Sequence, residues 1–283
     1  MAIEPVSATL FPNSPPLDAR SRELRRLVIE AMEGGGRGHL GSALSLIEIL
    51  RVLYDDIARH RPDEPNWPGR DRVILSKGHG CLALYALLAD HGFFARDDLK
   101  AFCHQTSFLG GHPERGKVPG VEASTGALGH GLAIGIGMAL GAKMKGDNTR
   151  VLIVMGDGEI NEGSVWESAM HAAKHELGQL ATIIDYNKLQ SYGPTSEVLD
   201  LEPLADKWRA FGFEAVEVDG HDIDALREVL QKPLSAEKPT AVICHTVKGK
   251  GIPFAENEAA WHHKSRIPAE QIAEMYAALK GVQ

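Results

Sequence analysis

Short apolar runs and segments of helical period alternate along most of the chain. The runs Arg72 to Leu75, Val151 to Met155, Ala181 to Ile184, Glu214 to Val218 and Thr240 to Cys244 have strand length, and each is followed at once by glycine or a polar residue. Between them, apolar residues recur at helical spacing. Leu24, Leu27, Val28 and Ala31 predict a helix from Asp18 to the glycines Gly34, Gly35 and Gly36. Leu46, Ile49, Leu50, Leu53 and Ile57 predict a second, with Ser42 placed to cap it. Further helices are predicted over Cys81 to Asp90, over Gly129 to Met144, near Pro203 to Phe211, through Leu230, and around Ile272, Met275, Tyr276 and Leu279. One more, beginning after Gly163, carries Trp166, Ala169, Met170 and Ala173 as its buried face and ends at Gly178. A run such as Val151 to Met155, apolar at every position, belongs in a parallel sheet covered on both sides. The alternation therefore predicts an α/β fold, a doubly wound parallel sheet with helices on both faces. It reads as one domain over residues 18–283 behind a proline-bearing extended arm over residues 1–17.

The segment Val151 to Gly193 concentrates the chemistry. Its two strands, joined by one helical crossover, become parallel neighbours, so Asp157 and Asn187 fall just past adjacent carboxyl ends, where open α/β sheets bind ligands. One carboxylate and one amide oxygen are too few for a calcium cage. They suit magnesium, which takes its remaining ligands from water and substrate phosphates. A diphosphate is the expected ligand, and Gly156 and Gly158 let the backbone approach it. The competing reading is a tight turn with two capping side chains.

Composition narrows the field. With 43% hydrophobic residues, 283 residues suffice for a real core, while a net charge of −8 without a basic stripe argues against nucleic acid as partner. Three separated cysteines point to a reducing compartment, and the sequence has neither a secretion signal nor eighteen consecutive apolar residues, so a cytoplasmic protein without a membrane span is expected.

Gly-Asp-Gly at 156–158 followed by Asn187 resembles the thiamine diphosphate signature, and its flanks resemble transketolase. So do Arg37-Gly-His39-Leu-Gly, Ser76-Lys-Gly-His79, Gly111-His112-Pro-Glu, Ser124-Thr-Gly126-Ala-Leu128-Gly, Lys248 and Trp261-His262, in the family's order. The resemblance implies thiamine diphosphate with Mg2+, or Ca2+ or Mn2+ in its place. Asp157, Asn187 and the Leu189 carbonyl would hold the metal, and Ser42, His79, Gly126, Leu128, Gly158, Asn187, Lys248 and His262 would contact the cofactor. It also implies that His39 and His262 move a proton at the hydroxyl beside the cleaved bond, that His112 holds the two-carbon end of a ketose, and that Glu162 reaches across a subunit interface. For Glu162 the alternative is a helix-capping carboxylate. Among the other histidines, His60, His91, His104, His171 and His175 read as structural or surface residues.

The implied activity is transfer of a two-carbon ketol unit from a ketose (phosphate) to an aldose (phosphate). The family's pyrimidine-binding domain has no counterpart before Gln283, which implies an amino-terminal subunit of a split transketolase. Its partner would be a separately encoded pyrimidine-domain subunit in an α2β2 assembly, and Ala133, Gly137 and Gly141 mark a helix face for close subunit contact. Alternatives are a fragment of a longer protein, a non-catalytic binding subunit, or a deoxyxylulose-phosphate synthase-like or 2-oxoacid dehydrogenase component.

Overall fold

Five parallel strands form one sheet in the order β1 (Arg72–Leu75), β2 (Val151–Gly156), β3 (Leu180–Tyr186), β5 (Thr240–His245) and β4 (Glu214–Asp219). The structure, a computed structural model, describes residues 11, 14–232 and 237–280, so most of the expected arm lies outside the described residues. Successive residues of β2 serve two different cores. Leu152 and Val154 pack among the apolar side chains of α1 (Ala19–Gly35), α2 (Leu40–Leu44), α3 (Ile47–Val52) and α4 (Cys81–Asp90). Val151, Ile153 and Met155 pack against α5 (His130–Lys145), α6 (Gly163–Lys174) and, after the short α7 (Thr195–Val198), α8 (Leu204–Ala210). This two-sided burial leaves no polar position in the strand. Helices α9 (Ile223–Gln231) and α10 (Ala269–Lys280) complete the first face. Among the described residues, no helix is long and apolar enough to cross a membrane.

Local chemistry explains the boundaries. The Asp18 side chain accepts from the Ser21 amide and opens α1, and Gly36, at φ 64°, closes it in the left-handed region. Three local expectations are corrected. Ser42 is no cap: it lies inside α2, buried, because the chain is already helical from Leu40. In α6 the buried face is Val165, Ser168, Ala169 and Ala172, whereas Met170 is 54% exposed. The helix is rotated because Trp166 leans sideways onto Trp208 and Phe211, with ring centroids 5.2 and 4.9 Å away. It also stops at Lys174, with Glu176 rather than Gly178 taking the positive φ of 51°.

Candidate functional site

The carboxyl ends of β1, β2, β3 and β5 open onto a cavity of about 410 Å³. The structure brings His39, Ser42, His79, Gly126, Leu128, Asp157, Gly158, Glu162, Asn187, Leu189, Lys248 and His262 into its wall. His112 stands outside that wall, exposed, with its ring against Gly126. A side chain at Gly126 would collide with that ring, and the residue's φ of 140° also requires glycine. The loop carrying His112 is held from below, where the Tyr85 hydroxyl lies 3.0 Å from the Gly110 carbonyl and 2.9 Å from that of His112.

At one corner, buried Asp157 accepts from the Gly158 amide at 2.7 Å and the Lys188 amide at 2.6 Å. Asn187 Oδ1 accepts from the Leu189 amide at 3.1 Å, and the Leu189 carbonyl accepts from Lys248 Nζ at 2.5 Å. Burial, with Asp185 adding to it, pushes the Asp157 carboxyl above its ordinary pKa. A cation there would relieve a carboxylate that is costly to keep charged. Among the described residues no cluster of three or more His, Cys, Asp or Glu side chains could hold a metal by itself, so a metal at this corner would draw on Asn187, a carbonyl and the ligand's own oxygens.

Under this corner lies a residue that the sequence motifs do not single out. Asp185, fully buried in β3, accepts from Lys77 Nζ and Ser45 Oγ, both at 2.6 Å, and from the Thr246 hydroxyl. Burial alone would raise its pKa, but Lys77 and these hydrogen bonds hold it below the ordinary value. Its backbone carbonyl also accepts from the Asp157 amide at 3.2 Å, which joins it to the metal corner. The one signal in the sequence is a carboxylate ending an apolar strand. Glu159 is likewise absent from the motifs, which point to Glu162. Its buried carboxylate accepts from Ser76 Oγ and from the amides of Gly129 at 2.9 Å and Gly156 at 3.3 Å, tying together three segments of the wall. Glu162 is exposed at the N-cap position of α6 and makes no side-chain capping hydrogen bond there.

On the other side, His39, His79 and His262 lie with ring centroids 5.3 to 5.4 Å apart, and His263 adds a fourth ring 4.6 Å from His39. Burial, then the neighbouring His263 and His112, brings the His39 pKa down to about 4. Burial and Lys248, whose Nζ is 3.0 Å from His262 Nδ1, bring His262 down to about 3. His79 is lowered in the same way, by burial and then by Lys77. Lys248 falls to about 8, with Asp157 opposing the effect of burial. The cavity therefore presents the Lys248 ammonium at its floor and, above it, imidazoles that stay neutral at pH 7 and can exchange hydrogen bonds with a ligand. His171 on α6 and His175 just after its end, by contrast, stack at the exposed surface with no third ligand among the described residues.

The family described as "Transketolase, thiamine diphosphate binding domain" matches residues 18–281. The chain is 42% identical over 248 residues to an apulose-4-phosphate transketolase subunit of Phocaeicola vulgatus, covering 87% of this chain and 88% of that protein. It is 39% identical to "6-deoxy-6-sulfo-D-fructose transketolase subunit SqwG" of Clostridium sp. (strain MSTE9), covering 87% and 90%. The solved transketolase of Leishmania mexicana superimposes with a TM-score of 0.83 at 31% identity, but while 92% of this chain is covered, only 40% of that one is. Human transketolase is 36% identical over 92% of this chain and 42% of its own length. A family match over residues 18–281, with relatives of similar length at 39 to 42% identity, means that this chain belongs to the transketolase family, with its cavity in the thiamine diphosphate-binding domain.

Proposed function

We propose that this chain is the amino-terminal subunit of a two-component transketolase, moving a two-carbon ketol unit from a ketose to an aldose with thiamine diphosphate. The observation that carries the reading is the single cavity in which the Asp157, Asn187 and Leu189 corner and Lys248 face the His39, His79 and His262 cluster. The donor set fits the cofactor. Two side-chain oxygens and a carbonyl are hard ligands suited to Mg2+, with Ca2+ or Mn2+ able to replace it, and Lys248 faces the same corner to meet a diphosphate. Residues 18–283 act as one diphosphate-binding domain behind the arm over 1–17.

When bound, the cofactor supplies the electron sink for the two-carbon fragment. The chain's own groups position and move protons. His39 and His262 assist proton transfer at the hydroxyl beside the breaking bond, and His112 at the rim holds the two-carbon end of the donor. His79, Ser42, Gly126, Leu128 and Gly158 shape the wall against the cofactor. Calorimetric titration of thiamine diphosphate with Mg2+ into the chain mixed with its partner tests the reading, and absence of cofactor binding would sink it.

The partner is a separately encoded pyrimidine-domain subunit, a reading supported by relatives of matching length that are themselves named as transketolase subunits. We place the complex in the cytoplasm as an α2β2 assembly, with Glu162 reaching across the interface. The outward face of α5 supports close contact, since a side chain at Gly137 or Gly141 would meet nothing within 4 Å. Gly137→Leu should therefore leave the chain's stability unchanged or raise it by up to about 1 kcal/mol, because leucine is the better helix former. It should nevertheless block assembly, seen as a smaller species in sedimentation. A variant that still assembles fully would move the interface elsewhere.

His112→Ala should lower turnover by roughly tenfold while thiamine diphosphate affinity stays within about twofold, in line with the loss of one hydrogen bond to the donor sugar. The ring is exposed, so its loss opens no core cavity. Unchanged turnover, or a fall in melting temperature in its place, would assign His112 a structural role.

A further inference from the structure

Beneath the cavity lies a group of buried charges that the proposed proton transfers do not use. Arg25 on α1, Glu48 on α3 and His221, just before α9, are almost inaccessible, with side chains 0%, 1% and 1% exposed. Arg25 grips Glu48 with both terminal nitrogens, Nη1 to Oε1 at 2.6 Å and Nη2 to Oε2 at 2.9 Å. Its other donors go to the carbonyls of Ser21, Leu44 and Lys250. All the guanidinium's hydrogens are thereby spent, and the ion pair has no net charge. Glu48 Oε2 lies 2.8 Å from His221 Nδ1, and His221 Nε2 lies 2.8 Å from the amide nitrogen of Val247. A backbone amide can only donate, so Nε2 is the acceptor and Nδ1 carries the hydrogen given to Glu48.

Both ends of one turn are held by this group. His221 receives the amide of Val247, and Arg25 Nε donates to the carbonyl of Lys250 at 2.8 Å. Between these points sits Lys248, whose Nζ reaches Leu189 and His262 inside the cavity. Gly249 adds a third fixed point, because its amide donates to the Gly41 carbonyl at 3.0 Å. A side chain on Gly249 would strike the Ala255 backbone. A buried pair rarely adds stability over an apolar replacement, so its presence asks for a use, and setting a register is the best attested one.

We propose that Arg25, Glu48 and His221 form a buried clamp that sets the position of Lys248 in the cofactor cavity, His221 being a positioning residue for the diphosphate. The proposal rests on the functional reading above. Its test uses the full chain in complex with its partner and measures three quantities: thiamine diphosphate affinity with Mg2+, melting temperature, and acylation of the Lys248 amine in the cofactor-free protein. His221→Asn keeps a donor for Glu48 but loses the acceptor for Val247, whereas His221→Gln keeps an acceptor at the Nε2 position and loses the donor. The clamp predicts that affinity falls about tenfold or more in the Asn variant, that Lys248 acylation changes with it, and that the Gln variant stays within about threefold of wild type. Leu, which fills the space without either bond, takes the place of Asn should that variant not fold, with the same expectation. Equal losses in both variants that follow the melting temperature, or wild-type affinity in both, overturn the clamp. Failure of the wild type to bind the cofactor would instead overturn the functional reading.

Discussion

Purified alone, the chain should show no ketol transfer, and addition of a separately encoded pyrimidine-domain subunit should restore it by orders of magnitude. The family's chemistry needs a carboxylic acid against the cofactor's aminopyrimidine ring, and the carboxylates that line this cavity are Asp157, Glu159 and Glu162. Asp157 belongs to the metal corner, where its oxygens already take the Gly158 and Lys188 amides. Glu159 is closed in by Ser76, Gly129 and Gly156. Glu162 sits exposed, before the first turn of α6, and its side chain makes no capping hydrogen bond there. Under the two-component reading, the acid is supplied by the partner subunit. A coupled assay of the chain alone, the partner alone and their mixture decides it. Transfer by the isolated chain, with contaminating transketolase excluded, would defeat the two-component reading and turn attention to Glu162.

Replacing Asp157 or Asn187 by Ala should abolish Mg2+-dependent thiamine diphosphate binding while leaving the fold in place. Changes to groups that merely support metal ligands cost about 10- to 100-fold in metal affinity, so loss of a ligand itself should cost roughly 100-fold or more. The fold should tolerate either change. Asp157 is a carboxylate whose charge burial disfavours, so its removal relieves a cost even as the Gly158 and Lys188 amides lose a partner worth about 1 kcal/mol each. The Gly158 amide borders the cavity and can turn to water. Titration calorimetry paired with thermal circular dichroism separates the two effects. Wild-type affinity in either variant would show that the metal is held elsewhere, and a collapse of the melting temperature would show that the corner is structural.

The position of Asp157 and Asn187 was legible because it depends on local features only. An all-apolar run announces a strand buried on both faces, one helix makes the next strand its parallel neighbour, and the first polar residue after each falls at the same sheet edge. The histidines were legible as motifs, and all of the predicted residues but His112 share one cavity wall. The helix faces were less so. Spacing alone could not tell the buried Val165 side of α6 from the exposed Met170 side, because the rotation is set by Trp208 and Phe211 far along the chain.

Sequence alone thus determined the alternation of elements, the parallel sheet and the edge at which its chemistry collects, all of which follow from periodicity and chain connectivity. Tertiary structure alone decided which charges meet there. The insertion of β5 between β3 and β4 puts Thr246 and Lys248 beside Asp185 and Leu189, and the pairing of β1 with β2 brings Lys77 to Asp185 across 108 residues of sequence. Strand order and the partners of buried charges depend on contacts distant in sequence, and no local pattern of apolar and polar positions records them. For the same reason no local pattern singles out His221, which folding sets between Glu48 and the turn that carries Lys248.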